Sequence, residues 1–150
     1  VASPHGRQWV DIQQGEKGAI MAMDDLDDLL TGVFDEFSLS SSQVILGGFS
    51  QGGMMTLTVG PTYGLAGIIS FSGALLTEDS LTEAVSSSPP ILLIHGDLDD
   101  VVPVSALIDA QTHFEEKGYD VEVVLEKGVG HSIGETGLNS ARQFIDNCLK

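Results

Sequence analysis

Four short runs rich in apolar residues, at 43–48, 65–71, 91–95 and 121–125, constrain this chain more than any other feature. Each is too short for a core helix, is rich in β-branched residues or leucine, and largely lacks the strict alternation of a half-wet strand. That pattern fits strands buried on both faces. Between and around them lie amphipathic stretches at helical spacing. In the first, apolar residues at 20, 23, 26, 30, 33, 34 and 37 recur across Ile20–Phe37. A helix is predicted from Gln51 to about Leu57, leading to Gly60-Pro61, a second over Val104–Lys117 and a third over Leu138–Leu149. Strands alternating with helices predict an α/β domain whose mostly parallel sheet is covered by helices on both faces. With 150 residues there is enough chain for one hydrophobic core and no sign of a repeat or boundary, so 1–150 is read as a single domain.

The surface of such a domain would be strongly acidic. Asp and Glu number 22 against 6 Lys and Arg, a net charge of −16. Phosphate-rich partners need cationic side chains, so nucleic acid and anionic membrane surfaces are disfavoured. Six of the acids (Asp24, Asp25, Asp27, Asp28, Asp35 and Glu36) fall on the polar side of the first helix. They lack the glycine and closing glutamate of a calcium loop. Cys148 is the single cysteine and falls on the apolar face of the last helix, which marks it as a structural thiol. Without a leader-like or membrane-length apolar run, the chain is read as cytoplasmic, with no stable membrane insertion. Residues 1–18 read as mostly turn, and the opening Val1-Ala2-Ser3-Pro4 reads as the continuation of something longer.

In a parallel sheet, ligands meet the crevice beyond the carboxyl ends of the strands. Three strands here end in chemistry-bearing segments: Gly48-Phe49-Ser50-Gln51-Gly52, His95-Gly96-Asp97-Leu98-Asp99-Asp100, and Gly128-Val129-Gly130-His131-Ser132. Gly-x-Ser-x-Gly between a strand and a helix places the serine on a sharp turn with its hydroxyl exposed. Gly48 and Gly52 remove side chains that would collide there, and the Gln51 amide would face an oxyanion. A serine hydroxyl needs a base, and His131 is the best placed of the four histidines. Asp97, Asp99 and Asp100 compete as the carboxylate that orients it; spacing does not choose. His95 reads as a packed residue, His113 as part of a helix surface, and Ser72 as a turn or pocket-lining residue. His5 lies in the uninformative opening segment. The glycines fit neither a dinucleotide-binding fingerprint nor a phosphate loop.

Together these segments resemble the phospholipase/carboxylesterase family of α/β-hydrolases, which includes the acyl-protein thioesterases. The resemblance runs through Gly6-Arg7-Gln8-Trp9-Val10-Asp11-Ile12, Gly48-Phe49-Ser50-Gln51-Gly52-Gly53-Met54, Phe71-Ser72-Gly73, His95-Gly96-Asp97-Leu98-Asp99-Asp100-Val101-Val102-Pro103 and Gly130-His131. It implies Ser50 as nucleophile, His131 as base and, through Gly96-x-x-Asp99-x-x-Val102-Pro103, Asp99 as the acid. It also implies an ester substrate and neither metal nor organic cofactor. Leu75, Leu76 and Val102 are candidate pocket residues. With no lid-like insertion, short- to medium-chain carboxylic esters are the expected substrates. Acyl-protein thioesterase or lysophospholipase activity and a non-catalytic binding frame are the alternatives. Members of the family carry about a third more chain, at the amino end, with the first strands and a second oxyanion donor. The chain therefore corresponds to the carboxyl-terminal two-thirds of the family's domain. Its Ser50 strand should be an exposed edge, inviting a second copy or a missing amino-terminal segment to pair with it.

Overall fold

The computed structural model describes residues 2–3, 6–7, 15–76 and 88–150, with side chains described from residue 21 onward within those ranges. Two-residue strands β1 (Ala2–Ser3) and β2 (Gly6–Arg7) pair antiparallel. The remaining elements are α1 (Gly15–Phe37), β3 (Ile45–Phe49), α2 (Gln51–Val59), β4 (Gly67–Phe71), β5 (Ile91–Gly96), α3 (Ser105–Glu116), β6 (Val121–Glu126) and α4 (Glu135–Cys148). Single 3₁₀ turns precede β3 at Ser41–Gln43 and follow α2 at Gly60–Thr62.

Strands β3 to β6 form a parallel sheet in chain order. Such a sheet buries both faces, which is why its central strands lack alternation: every residue of β5 is buried. The pleat still sorts the side chains. Ile68, Ile91 and Leu93 face Leu57 of α2 and Leu107, Ala110 and Phe114 of α3. Ile69, Leu92 and Ile94 face Ala141 and Phe144 of α4. Fully burying each such side chain contributes about 1.5–3 kcal/mol. Helix α1 is an outer layer, its Ala22, Leu26 and Leu30 packed on Met55 and Val59 of α2. The Tyr63 hydroxyl donates to Asp27 and ties α1 to the turn after α2.

The α/β class, the parallel sheet and the helices on both faces agree with the sequence pattern. The boundaries shift modestly: α1 begins at Gly15 rather than Ile20, α2 runs on to Val59, and α4 begins at Glu135. Phe37, expected to face inward, is 62% exposed at the end of α1. Most of the opening segment, including His5 and Trp9, and residues 77–87 lie outside the described residues. No helix among the described residues is long and apolar enough to cross a membrane.

The register brings strand ends to one level: Phe49 pairs with Phe71, Phe71 with Ile94, and Ile94 with Val124. Ser50, Ser72 and His95 are the next residues along their strands. Parallel pairing thus places segments far apart in the chain along one edge. Among the described residues β3 is an outer strand, and the cleft beside it has a volume of about 560 Å³. Leu26, Leu46, Gly47, Gly48, Phe49 and Ser50 are among the residues that line it.

Candidate active site

The turn from β3 into α2 holds Ser50 at φ 55° and ψ −118°, a conformation that side-chain-bearing residues seldom adopt. Two hydrogen bonds hold it there: the Ser50 amide donates to the Phe71 carbonyl at 2.9 Å, and the Ser50 carbonyl accepts from Met54 N–H at 2.9 Å. The reversal is so tight that a Cβ on Gly48 would collide with the Gly52 carbonyl. Gln51 opens α2, so its amide lies in the first helical turn, at the positive end of the helix.

His131, on the loop between β6 and α4, reaches across to this turn. Its Nε2 is 2.9 Å from Ser50 Oγ, and its Nδ1 is 2.8 Å from Asp99 Oδ2. With Nδ1–H donating to the carboxylate, Nε2 is left to accept the serine proton. The imidazole is half-buried, and the Phe49 ring lies against it, centroids 4.9 Å apart at 43°. The Asp99 side chain is 0% exposed.

That burial alone would push the Asp99 carboxyl upward. Hydrogen bonds from His131, from the Val102 and Val101 amides and from the Ser72 hydroxyl outweigh it and bring the pKa down to about 2. Asp99 Oδ1 accepts Val102 N–H at 2.8 Å and Val101 N–H at 3.0 Å. His95, 1% exposed, has its Nε2 2.9 Å from the Val102 carbonyl and 3.4 Å from Asp99 Oδ2. A ring nitrogen facing a carbonyl donates, so His95 braces the acid loop.

The three competing aspartates separate cleanly. Asp99 meets His131, Asp100 is exposed, and Asp97 Oδ1 accepts the Gly128 amide at 2.6 Å, tying the acid loop to the base loop. Two contributors had no reading from sequence, and a third had a different one. Phe49 lies tilted against the imidazole. Ser72, read as a turn or pocket residue, donates to Asp99 from a φ of 47°. Glu126 is buried at the end of β6, and its only sequence signal is an acid closing an apolar strand.

Leu75 and Leu76 line a second cleft of about 600 Å³, with Ala106, Asp109 and His113 of α3, whereas Ser50 lines the first. Val102 is 5% exposed and lines neither cleft. Cys148 packs against the α4 core and its thiol is pushed up by burial and by Glu122, the condition of an unreactive sulfur. Among the described residues no three His, Cys, Asp or Glu side chains gather as a metal site.

A Ser-His-Asp arrangement beyond the carboxyl ends of a parallel sheet is chemistry found in known proteins, and the chain is similar to several. Esterase PE8 superposes with a TM-score of 0.89 at 36% identity, over 98% of this chain and 73% of that one. Arabidopsis thaliana SOBER1 gives 0.82 at 25% identity, over 99% and 70%. Acyl-protein thioesterase 1 of Neurospora crassa is 32% identical over 91% of this chain, and that of Kluyveromyces lactis 32% identical over 75%. The chain spans 58% and 53% of the length of these two relatives. Residues 5–149 match the family described as Phospholipase/Carboxylesterase. With its α/β-hydrolase fold on a reduced sheet, its serine turn and its triad-like geometry, the chain belongs to the phospholipase/carboxylesterase family.

Proposed function

We propose that this chain, as one domain, is a serine carboxylesterase acting on short- to medium-chain carboxylic esters. The observation that supports this best is the imidazole of His131 bridging Ser50 Oγ at 2.9 Å and Asp99 Oδ2 at 2.8 Å. Ser50 attacks the ester carbonyl while His131 Nε2 takes its proton. Asp99 holds the Nδ1–H tautomer and stabilises the imidazolium that forms. The Gln51 amide donates to the tetrahedral oxyanion. As that intermediate collapses, His131 protonates the departing alcohol and Ser50 stays acylated. Water then attacks the acyl-enzyme, giving its proton to His131, and the acid leaves as Ser50 recovers the proton. Gly48 and Gly52 shape the turn, and the cleft beside β3 opens onto Ser50.

Thioester hydrolysis is the second reading, favoured by the acyl-protein thioesterases among the relatives. Among the described residues β3 ends the sheet, and there a further strand, from a second copy or additional chain, would extend it; molecular mass in solution tests the first. Cytoplasmic residence belongs to the same proposal and is tested by fractionation. Release of p-nitrophenol from acetyl to octanoyl esters tests the activity. Ser50→Ala is expected to abolish both turnover and labelling by a fluorophosphonate. Turnover that persists in Ser50→Ala would overturn the assignment.

A further inference from the structure

We propose that Glu126 is a positioning residue: its buried carboxylate, clasped by the first turn of α4, sets the base loop so that His131 meets Ser50 and Asp99 together. The proposal rests on the hydrolase chemistry proposed above. Glu126 is 2% exposed at the last position of β6, and His131 follows five residues later. A carboxylate removed from water needs strong donors. Here they are backbone amides: Gly134 N–H reaches Oε2 at 3.0 Å and Gly137 N–H reaches Oε1 at 2.6 Å. Both belong to the start of α4, where the helix dipole favours negative charge.

The fit leaves no slack. A Cβ on Gly137 would stand 2.6 Å from Glu126 Oε2 and 2.6 Å from Ile94 Cγ2; one on Gly134 would stand 2.5 Å from Oε1. The far end of the loop is pinned as well. Asp97 Oδ1 accepts the Gly128 amide at 2.6 Å, Leu98 N–H donates to the Val129 carbonyl at 2.9 Å, and Asp97 N–H donates to the Glu126 carbonyl at 3.0 Å. His131 therefore sits in a span held by Asp97 at its entry and Glu126 at its exit. Two hydrogen bonds from one imidazole tolerate little displacement, and an error near 1 Å can cost about 100-fold in rate.

The test joins NMR of ¹⁵N-labelled protein with ester kinetics. The reporter is the downfield proton of His131 Nδ1–H, assigned by its loss in His131→Gln. In Glu126→Gln a carboxamide NH₂ faces one of the two amide donors. That signal should shift or broaden, and kcat should fall about 10- to 100-fold with KM held within about twofold. Gly137→Ala, which pushes on the same carboxylate from the helix side, should give the same signature. Phe144→Leu loosens α4 on the sheet but leaves both carboxylate bonds, so it should lower Tm while the Nδ1–H signal and kcat stay put. An unchanged signal and kcat in folded Glu126→Gln would overturn the proposal. So would loss of folding in both carboxylate variants, or the same signature from Phe144→Leu. A parent protein that shows the His131 signal but hydrolyses no ester counts against the esterase function instead, and the signal alone still decides the role of Glu126.

Discussion

The two sides of the site are built differently. On the β5–β6 side, acid loop and base loop brace one another: Asp97 holds Gly128, Leu98 holds Val129, Asp99 gathers the Val101 and Val102 amides, and His95 locks Val102. Strand β5 beneath has a partner on each side and is buried throughout. On the β3 side, Ser50 sits on an outer strand beside an open cleft, in a backbone conformation that costs energy by itself. Its support is the Phe71 carbonyl, the packing of α2 and the absence of a side chain at Gly48. His131 is thus oriented by many contacts that each constrain one imidazole, whereas the placement of Ser50 depends on a few. Damage on the first side should therefore change chemistry with little loss of fold, and damage on the second should change both.

The largest effect is expected from Asp99→Asn. The amide holds the wrong imidazole tautomer, so kcat/KM should fall about 10⁴-fold with circular dichroism unchanged. Gly48→Ala should act on both properties, because its Cβ meets backbone at Gly52. About 2–4 kcal/mol of stability, read by urea unfolding, and about 100-fold in kcat are the expected losses. Acid should act on the Asp99 side. The Asp99 carboxyl is lowered to about 2, so its contribution is present above about pH 4, the unfolded value, and is lost as pH falls toward 2. Unfolding followed over that window should lose pH dependence there in Asp99→Asn. The smallest effect is expected at the outer layer. The Tyr63 hydroxyl is pushed up to about 12 by burial and by its bond to Asp27. Tyr63→Phe should therefore cost only about 0.5–1.5 kcal/mol at neutral pH. The alkaline loss of stability between about pH 10 and 12 should weaken in that variant, since the raised group stabilises below its unfolded value and ceases to as pH passes the folded one.

Much of the fold could be read from local pattern. Apolar runs 91–95 and 65–71 became central strands, and the periodicity of 104–117 became α3, because burial on two faces and on one stripe leave different spacings in the chain. The exposed end of α1 at Phe37 was misread for the same reason: periodicity marks the stripe but not where the covering neighbour stops. At the site, Ser50 and His131 stood out through glycine-rich turns at strand ends. The choice among Asp97, Asp99 and Asp100 did not follow from spacing, and came only from the resemblance of the whole Gly96-x-x-Asp99-x-x-Val102-Pro103 segment to a family.

Local pattern in the chain specifies the order of strands and helices, the tight serine turn and the presence of a histidine at a strand end. These depend on residues within a few positions of one another. Tertiary structure alone decided that Asp97 would serve as a strut, that Ser72 would donate to Asp99, that Phe49 would lie against His131 and that Glu126 would clasp α4. Most of those contacts join segments far apart in sequence, and Glu126 meets Gly137 only because β6 and α4 fold back against each other. The register of the parallel strands sets which side chains share a level, and register is a property of the assembled sheet.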